Sequence, residues 1–195
     1  MTSGSLRTMG SVPVLILTLT LLMPFGQTLT WMTDYNLNFH FDCNSTEKSL
    51  TTLTSIHDNH HEDRVWNVSC SKMNQTVELT QCEWSVATND PDGLMEYQCP
   101  NNDVITGLSS EWHQRQHDRV FRFRCCKPGL LVTHSCVYTD YINNYDGPLN
   151  YTVPDNWYLR GVLSVHSNRH EDRIFRFDIC KLDMLASPGE VPIVG

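Results

Sequence analysis

The chain has 195 residues, with 14 Lys and Arg against 22 Asp and Glu, a formal charge of −8, and 40% hydrophobic residues. That is enough apolar material for one well-filled core, and the acidic balance argues against a generic binder of nucleic acid or other polyanions. Eight cysteines, an even number, read as a disulfide framework in a secreted protein.

The N-terminus supplies that condition. Residues 1–26 carry one cation, Arg7, and an apolar run at 12–23 that is broken by Pro13 and too short to cross a bilayer. They predict a secretory signal cleaved within 26–30. No later stretch approaches a membrane span, so the mature product is expected outside the cell, without membrane insertion. Sequons at Asn44, Asn67, Asn74 and Asn150 agree with that route.

Beyond the signal, one phrase is written three times. "HHEDRVWNVSC", "QHDRVFRFRCC" and "RHEDRIFRFDIC" place Asp63-Arg64, Asp118-Arg119 and Asp172-Arg173 at steps of 55 and 54 residues. After each Arg the residues alternate with period two, which is a strand signature. Arg64, Trp66, Val68 and Cys70 share one face, as do Arg119, Phe121, Phe123 and Cys125, and Arg173, Phe175, Phe177 and Ile179. The opposite face, with Asn67, Arg122, Arg124, Arg176 and Asp178, reads as wet.

A second strand precedes each phrase, at 50–56, 104–112 and 158–166, and a short polar loop joins the two into a hairpin. Segments 71–98 and 127–156 read as linkers, and the chain beyond 181 as a flexible tail, 182–195. The prediction is an all-β, disulfide-stapled domain over 31–181. It contains three hairpin repeats, about 36–70, 97–126 and 151–180, with pseudo-threefold symmetry.

Cys43 to Cys70 and Cys99 to Cys126 both span 27 residues, which suggests two intra-repeat bonds. Adjacent Cys125 and Cys126 face opposite ways and need different partners. Among the pairings open to the remaining Cys82, Cys125, Cys136 and Cys180, 82–125 and 136–180 are the expected ones.

These residues resemble the dermatopontin family, including the invertebrate haemagglutinin/amebocyte aggregation factors. The triple Asp-Arg-aliphatic-aromatic phrase, the double cysteine after the second copy, Trp31 before Cys43, Cys82 with Trp84, "MEYQCPNN" at 95–102 and "YLRG" at 158–161 carry the likeness. The resemblance implies a secreted matrix or adhesion protein whose partners are proteoglycans and glycosaminoglycans, collagen or other matrix proteins, and cell-surface receptors. For the invertebrate members it implies lectin-like cell aggregation. It also implies the disulfide pairing just given. The chain departs from the vertebrate pattern at Val132 and after Cys180, where a further cysteine pair would stand, and it has only Asp34-Tyr35 in place of an acidic tyrosine-rich opening.

Three constellations could carry chemistry. Arg64, Arg119 and Arg173 offer planar forks to anions, but threefold recurrence on an aromatic face points to buried arginines paired to acids, with the Asp of a neighbouring repeat as the candidate partner, and the structural reading is preferred. His57/His61, His113/His117 and His166/His170 are each spaced by four before an Asp-Arg. They suggest a metal or pH-sensitive loop set, with Glu62 and Glu171 as co-ligands, although duplicated loop sequence explains the recurrence alone. Arg115, Arg122, Arg124 and Lys127, extended by Arg176, form a candidate anion or glycan-binding patch. No catalytic motif is present, so no enzyme and no cofactor is expected.

Overall fold

The computed structural model describes residues 30–73 and 77–184. The predicted signal 1–26, the sequon at Asn74 and the end of the predicted tail, 185–195, lie outside the described residues.

The period-two alternation around each Asp-Arg does form hairpins. β2 (Lys48–Asp58) pairs with β3 (Asp63–Lys72), β6 (Val104–His113) with β7 (Asp118–Pro128), and β10 (Tyr158–Ser167) with β11 (Asp172–Met184). The three registers are equivalent. Leu50 faces Cys70, Ile105 faces Cys125 and Leu159 faces Ile179, and one residue later each ladder slips at a bulge. A bulge at the same place gives each hairpin the same extra twist. The turns close through a left-handed residue directly before the Asp, namely Glu62, His117 and Glu171 (φ 53°, 45° and 45°).

The segments read as linkers turn out to be structural. β4 (Leu79–Trp84) and β5 (Met95–Gln98) lie in the first, and β8 (Leu131–Tyr138) and β9 (Leu149–Thr152) in the second. Residues 182–184, assigned to the tail, extend β11 against β8. Alternation in these pieces is too short to stand out from turn-rich surroundings.

With β1 (Phe39–Asp42), three short strands precede the three hairpins, and each pairs with the hairpin of the next repeat: β1 with β6, β5 with β10, and β9 with β2. The sheets are therefore β1-β6-β7-β4, β5-β10-β11-β8 and β3-β2-β9. The hand-over is cyclic, so the third repeat closes on the first.

The aromatic faces meet at the centre. Trp66, Phe121 and Phe175 pack edge to face with centroids 5.4–6.2 Å apart and planes 78–88° apart, a geometry worth about 0.5–1.5 kcal/mol per pair beyond burial. Backbone on this face is fixed by side chains arriving from the approach to each short strand. Asn89 receives the Phe121 N–H and donates to the Arg119 carbonyl, Asn143 does the same for Phe175 and Arg173, and Thr33 receives the Trp66 N–H. The face expected to be wet is partly buried: Val65, Val120 and Asp178 are all within the protein.

Four disulfides link Cys43 to Cys70, Cys99 to Cys125, Cys82 to Cys126 and Cys136 to Cys180. The expected 99–126 and 82–125 bonds are thus exchanged. Equal span misled, because the chain takes seven steps from Cys43 to Leu50 but six from Cys99 to Ile105. Face decides instead. Cys70 and Cys125 both lie on the aromatic side, opposite Leu50 and Ile105, whereas Cys126 aligns with Cys180. In the third repeat buried Val153 and Ile179 stand in the positions of the Cys99–Cys125 bond.

Candidate functional site

At the turn end of the hairpins, the three arginines are buried and bonded around a circle. Arg64 grips Asp172 at 2.6 and 2.7 Å, Arg173 grips Asp118 at 2.7 and 2.6 Å, and Arg119 grips Asp63 at 2.6 and 2.7 Å. Each guanidinium also donates to one carbonyl on the approach to a short strand: Gly147, Gly93 and Leu37. Each carboxylate receives a backbone N–H from the same approach, that of Asp146, Asp92 or Asn36. The carboxylate-facing edge of each fork is filled from within, so these arginines are not open forks for an external anion. Breaking one such buried pair costs about 3–5 kcal/mol.

A cavity of about 20 Å³ is lined by the three arginines and their aspartates, by Trp66, Phe121 and Phe175, and by Glu62, His117 and Glu171. Its volume is that of about one water molecule. His117 and Glu62 form an ion-pair contact. Burial pushes the Glu171 carboxyl above its usual range, while His166 and His117 pull it back.

The four-spaced histidines do not act as pairs. His57 and His166 are buried side chains in register with Arg64 and Arg173, and Trp112 holds the matching place beside Arg119. The His113/His117 pair is therefore offset by one position from the other two. His61 turns outward to Asp58 at 2.8 Å and stacks on Tyr35, and His170 contacts Asp146 at 2.8 Å and stacks on Tyr145.

The five candidate glycan-binding cations are scattered. Arg122 bonds Glu111 at 2.5 Å and Arg124 bonds Asp42 at 2.7 Å on the outer face of β7. Arg115 is exposed in the β6–β7 turn and Lys127 is exposed near the far end of β7. Arg176 belongs to another sheet, donates to the Thr139 carbonyl and covers the rings of Tyr138 and Tyr141. Of the described sequons, Asn44 and Asn150 are exposed, while Asn67 is half-buried and its side-chain oxygen accepts the Met32 N–H.

Beside Arg124, Trp84 packs on His40 with centroids 4.5 Å apart. Gly107 makes room for it, because a Cβ there would sit 3.0 Å from the indole. Trp84 also borders a groove of about 830 Å³ whose other walls include Tyr97, the Pro100–Asn102 turn, Asp103 and Lys127. Asp103 is 6% exposed, and its Oδ1 has no hydrogen-bond partner. Burial raises its carboxyl above the usual range, opposed by Lys127.

A family model described as Dermatopontin matches residues 33–184. The chain belongs to the dermatopontin family. It is 38% identical to the hemagglutinin/amebocyte aggregation factor of Limulus polyphemus over 78% of this chain and 87% of that one. A dermatopontin of Biomphalaria glabrata is 32% identical over 73% and 94% of the two chains. Millepora cytotoxin-1 of Millepora dichotoma is 34% identical over 75% of this chain, which spans 64% of that protein. No solved structure matches.

Within this dermatopontin fold, sequence reasoning missed the acids on the short-strand approaches and the groove. "DPDG" at 90–93 and "NYDG" at 144–147 were a readable signal, since they recur at the repeat spacing and put Asp92 and Asp146 in left-handed turns (φ 62° and 61°). Asp103 had no comparable signal, because a single acid after "CPNN" looks like any loop residue.

Proposed function

We propose that this chain is a secreted extracellular protein that binds glycans and uses that binding in cell adhesion and matrix organisation. The observation that carries the reading is the Trp84 groove. The rings of Trp84 and Tyr97 and the exposed amides of Asn101 and Asn102 are the chemistry that holds the C–H face and hydroxyls of a neutral sugar, with the buried Asp103 behind them. The net charge of −8 and the engagement of Arg122 and Arg124 with carboxylates fit neutral sugars better than polyanions. The relative named for haemagglutination and aggregation supports the same direction. Bridging cells needs more than one contact. Tyr138, Gln98 and Arg176 on the β5-β10-β11-β8 sheet offer a second outward surface.

A second reading, sulfated proteoglycan chains, is favoured by the position of Arg122 and Arg124 on one strand with 35% and 22% of their side chains exposed. A glycan array of the secreted, disulfide-intact protein at two salt concentrations separates the two. Salt-insensitive binding to neutral sugars, lost in Trp84→Ala, supports the groove. Salt-sensitive binding to sulfated chains, lost in Arg122→Ala and Arg124→Ala, supports the strand face. Binding to neither overturns the proposal.

A further inference from the structure

The histidine loops have no part in the groove, yet two of them bring together the same three residue types, one histidine and two aspartates. His57 Nδ1 lies 3.6 Å from Asp146 Oδ1, with Asp172 beside them, and His166 Nδ1 lies 3.6 Å from Asp92 Oδ1, with Asp118 beside them. In each set one ligand atom per residue falls within 4.8 Å of the others. The histidine side chains are 1% and 0% exposed. In the first set the buried nitrogen without a hydrogen-bond partner is His57 Nδ1, the one that faces Asp146, while Nε2 contacts the Glu171 carbonyl. In the second it is His166 Nε2, which lies 3.9 Å from Asp118 Oδ1 and 3.8 Å from Glu171 Oε2, while Nδ1 contacts Asn168 at 3.4 Å.

A separation of 3.6 Å is long for a hydrogen bond. It is close to the edge of about 3.3 Å between two ligands of a tetrahedral ion bound at about 2.0–2.1 Å. Asp172 and Asp118 each accept three hydrogen bonds out of roughly four available, which leaves one lone pair on Oδ1. His170 holds the other oxygen of Asp146 at 2.8 Å, the kind of outer contact that orients a ligating carboxylate. The surrounding charge favours a cation, because Glu62, Asp63, Asp92, Asp118, Asp146, Glu171 and Asp172 outnumber Arg64, Arg119 and Arg173. At the third equivalent position the ligand types are absent, since Trp112 stands for the histidine and Asn36 for the outer aspartate.

We propose that the chain binds two divalent ions of the zinc type, one at His57–Asp146–Asp172 and one at His166–Asp92–Asp118. Imidazole with carboxylate suits such ions better than calcium or magnesium.

The test is calorimetric titration of the untagged, disulfide-intact secreted protein with Zn²⁺, in parallel with Ca²⁺. Two Zn²⁺ per chain are expected, with Asp146→Asn and Asp92→Asn each removing one at unchanged fold by circular dichroism. Affinity at the altered site should drop at least ten-fold. Asp58→Asn, which alters the exposed His61 contact, should change neither. The proposal is overturned if no Zn²⁺ binds, if the double variant Asp92→Asn/Asp146→Asn keeps both ions, or if Asp58→Asn removes one. The ligand-conserving pair Asp92→Glu and Asp146→Glu should retain partial binding, so that a folding defect in the Asn variants cannot be mistaken for loss of a ligand.

Discussion

The two ends of the hairpins are built on different rules. At the turn end all three copies are alike, with Asp, Arg, a left-handed residue before the Asp, and a carbonyl and N–H from a short-strand approach. At the far end the copies diverge. Two have a bond joining the residue directly after the short strand to the aromatic face, and the third has Val153 and Ile179. The Cys82–Cys126 and Cys136–Cys180 bonds have Ser71 at the corresponding place in the first hairpin. The difference follows from what each contact joins. Every arginine reaches into another repeat, so the circle fails if any one is missing. The four disulfides join residues only 26–44 positions apart, and in the third repeat the buried Val153 and Ile179 stand where one of them would be.

The largest loss of stability is expected at the turn end. Arg119→Ala leaves Asp63 buried and unpaired and should cost about 3–5 kcal/mol in denaturant unfolding. Adding Asp63→Asn should recover part of that loss, and simple additivity would contradict a coupled pair. At the far end, Cys43→Ala with Cys70→Ala should cost less, about 2–4 kcal/mol for a loop of this size. Val153→Cys with Ile179→Cys should form a fifth disulfide, detected by intact mass without reductant, because those positions match Cys99 and Cys125.

Smaller effects belong to the outer surface. Gly107→Ala places a methyl 3.0 Å from Trp84, the Phe41 carbonyl and the Arg124 side chain. It should cost about 1–3 kcal/mol and weaken neutral-sugar binding by shifting the indole. Asp103→Asn should have the mildest effect on the fold and reveals itself through pH. The folded carboxyl is raised by burial, so the native state holds its proton more tightly than the unfolded chain. Stability from this group is present at low pH and falls as pH rises through the folded value. Asn should abolish that slope and leave the protein at least as stable at neutral pH, as read from melting temperatures across the acid range.

The hairpins were legible because alternation and the repeated Asp-Arg phrase reinforce one another over ten residues or more. Burial of Arg64, Arg119 and Arg173 could be argued from parity, and the Asp of a neighbouring repeat could be named as partner, but which neighbour could not, since Asp172 for Arg64 is set by tertiary closure. β1, β5 and β9 are four residues each, and Phe39 finds Ser110 across the chain. Nothing local encodes that choice. Single-residue length differences were the other blind spot. One extra residue between Cys43 and Leu50 exchanged the cysteine partners, and a register offset of one set His113/His117 apart from the pairs it resembles. Candidate cations were visible as residues but not as surfaces, because the carboxylates that engage Arg122 and Arg124 come from β6 and β1.

The cyclic hand-over of β1, β5 and β9 bears on ancestry. A single repeat has its first strand housed elsewhere and its arginine matched elsewhere, so alone it would expose an unpaired edge and a buried-type charge. A one-repeat precursor could satisfy both demands only as a ring of three identical chains, each lending its strand to the next. Fusing such a trimer end to end yields the present connectivity without moving a strand.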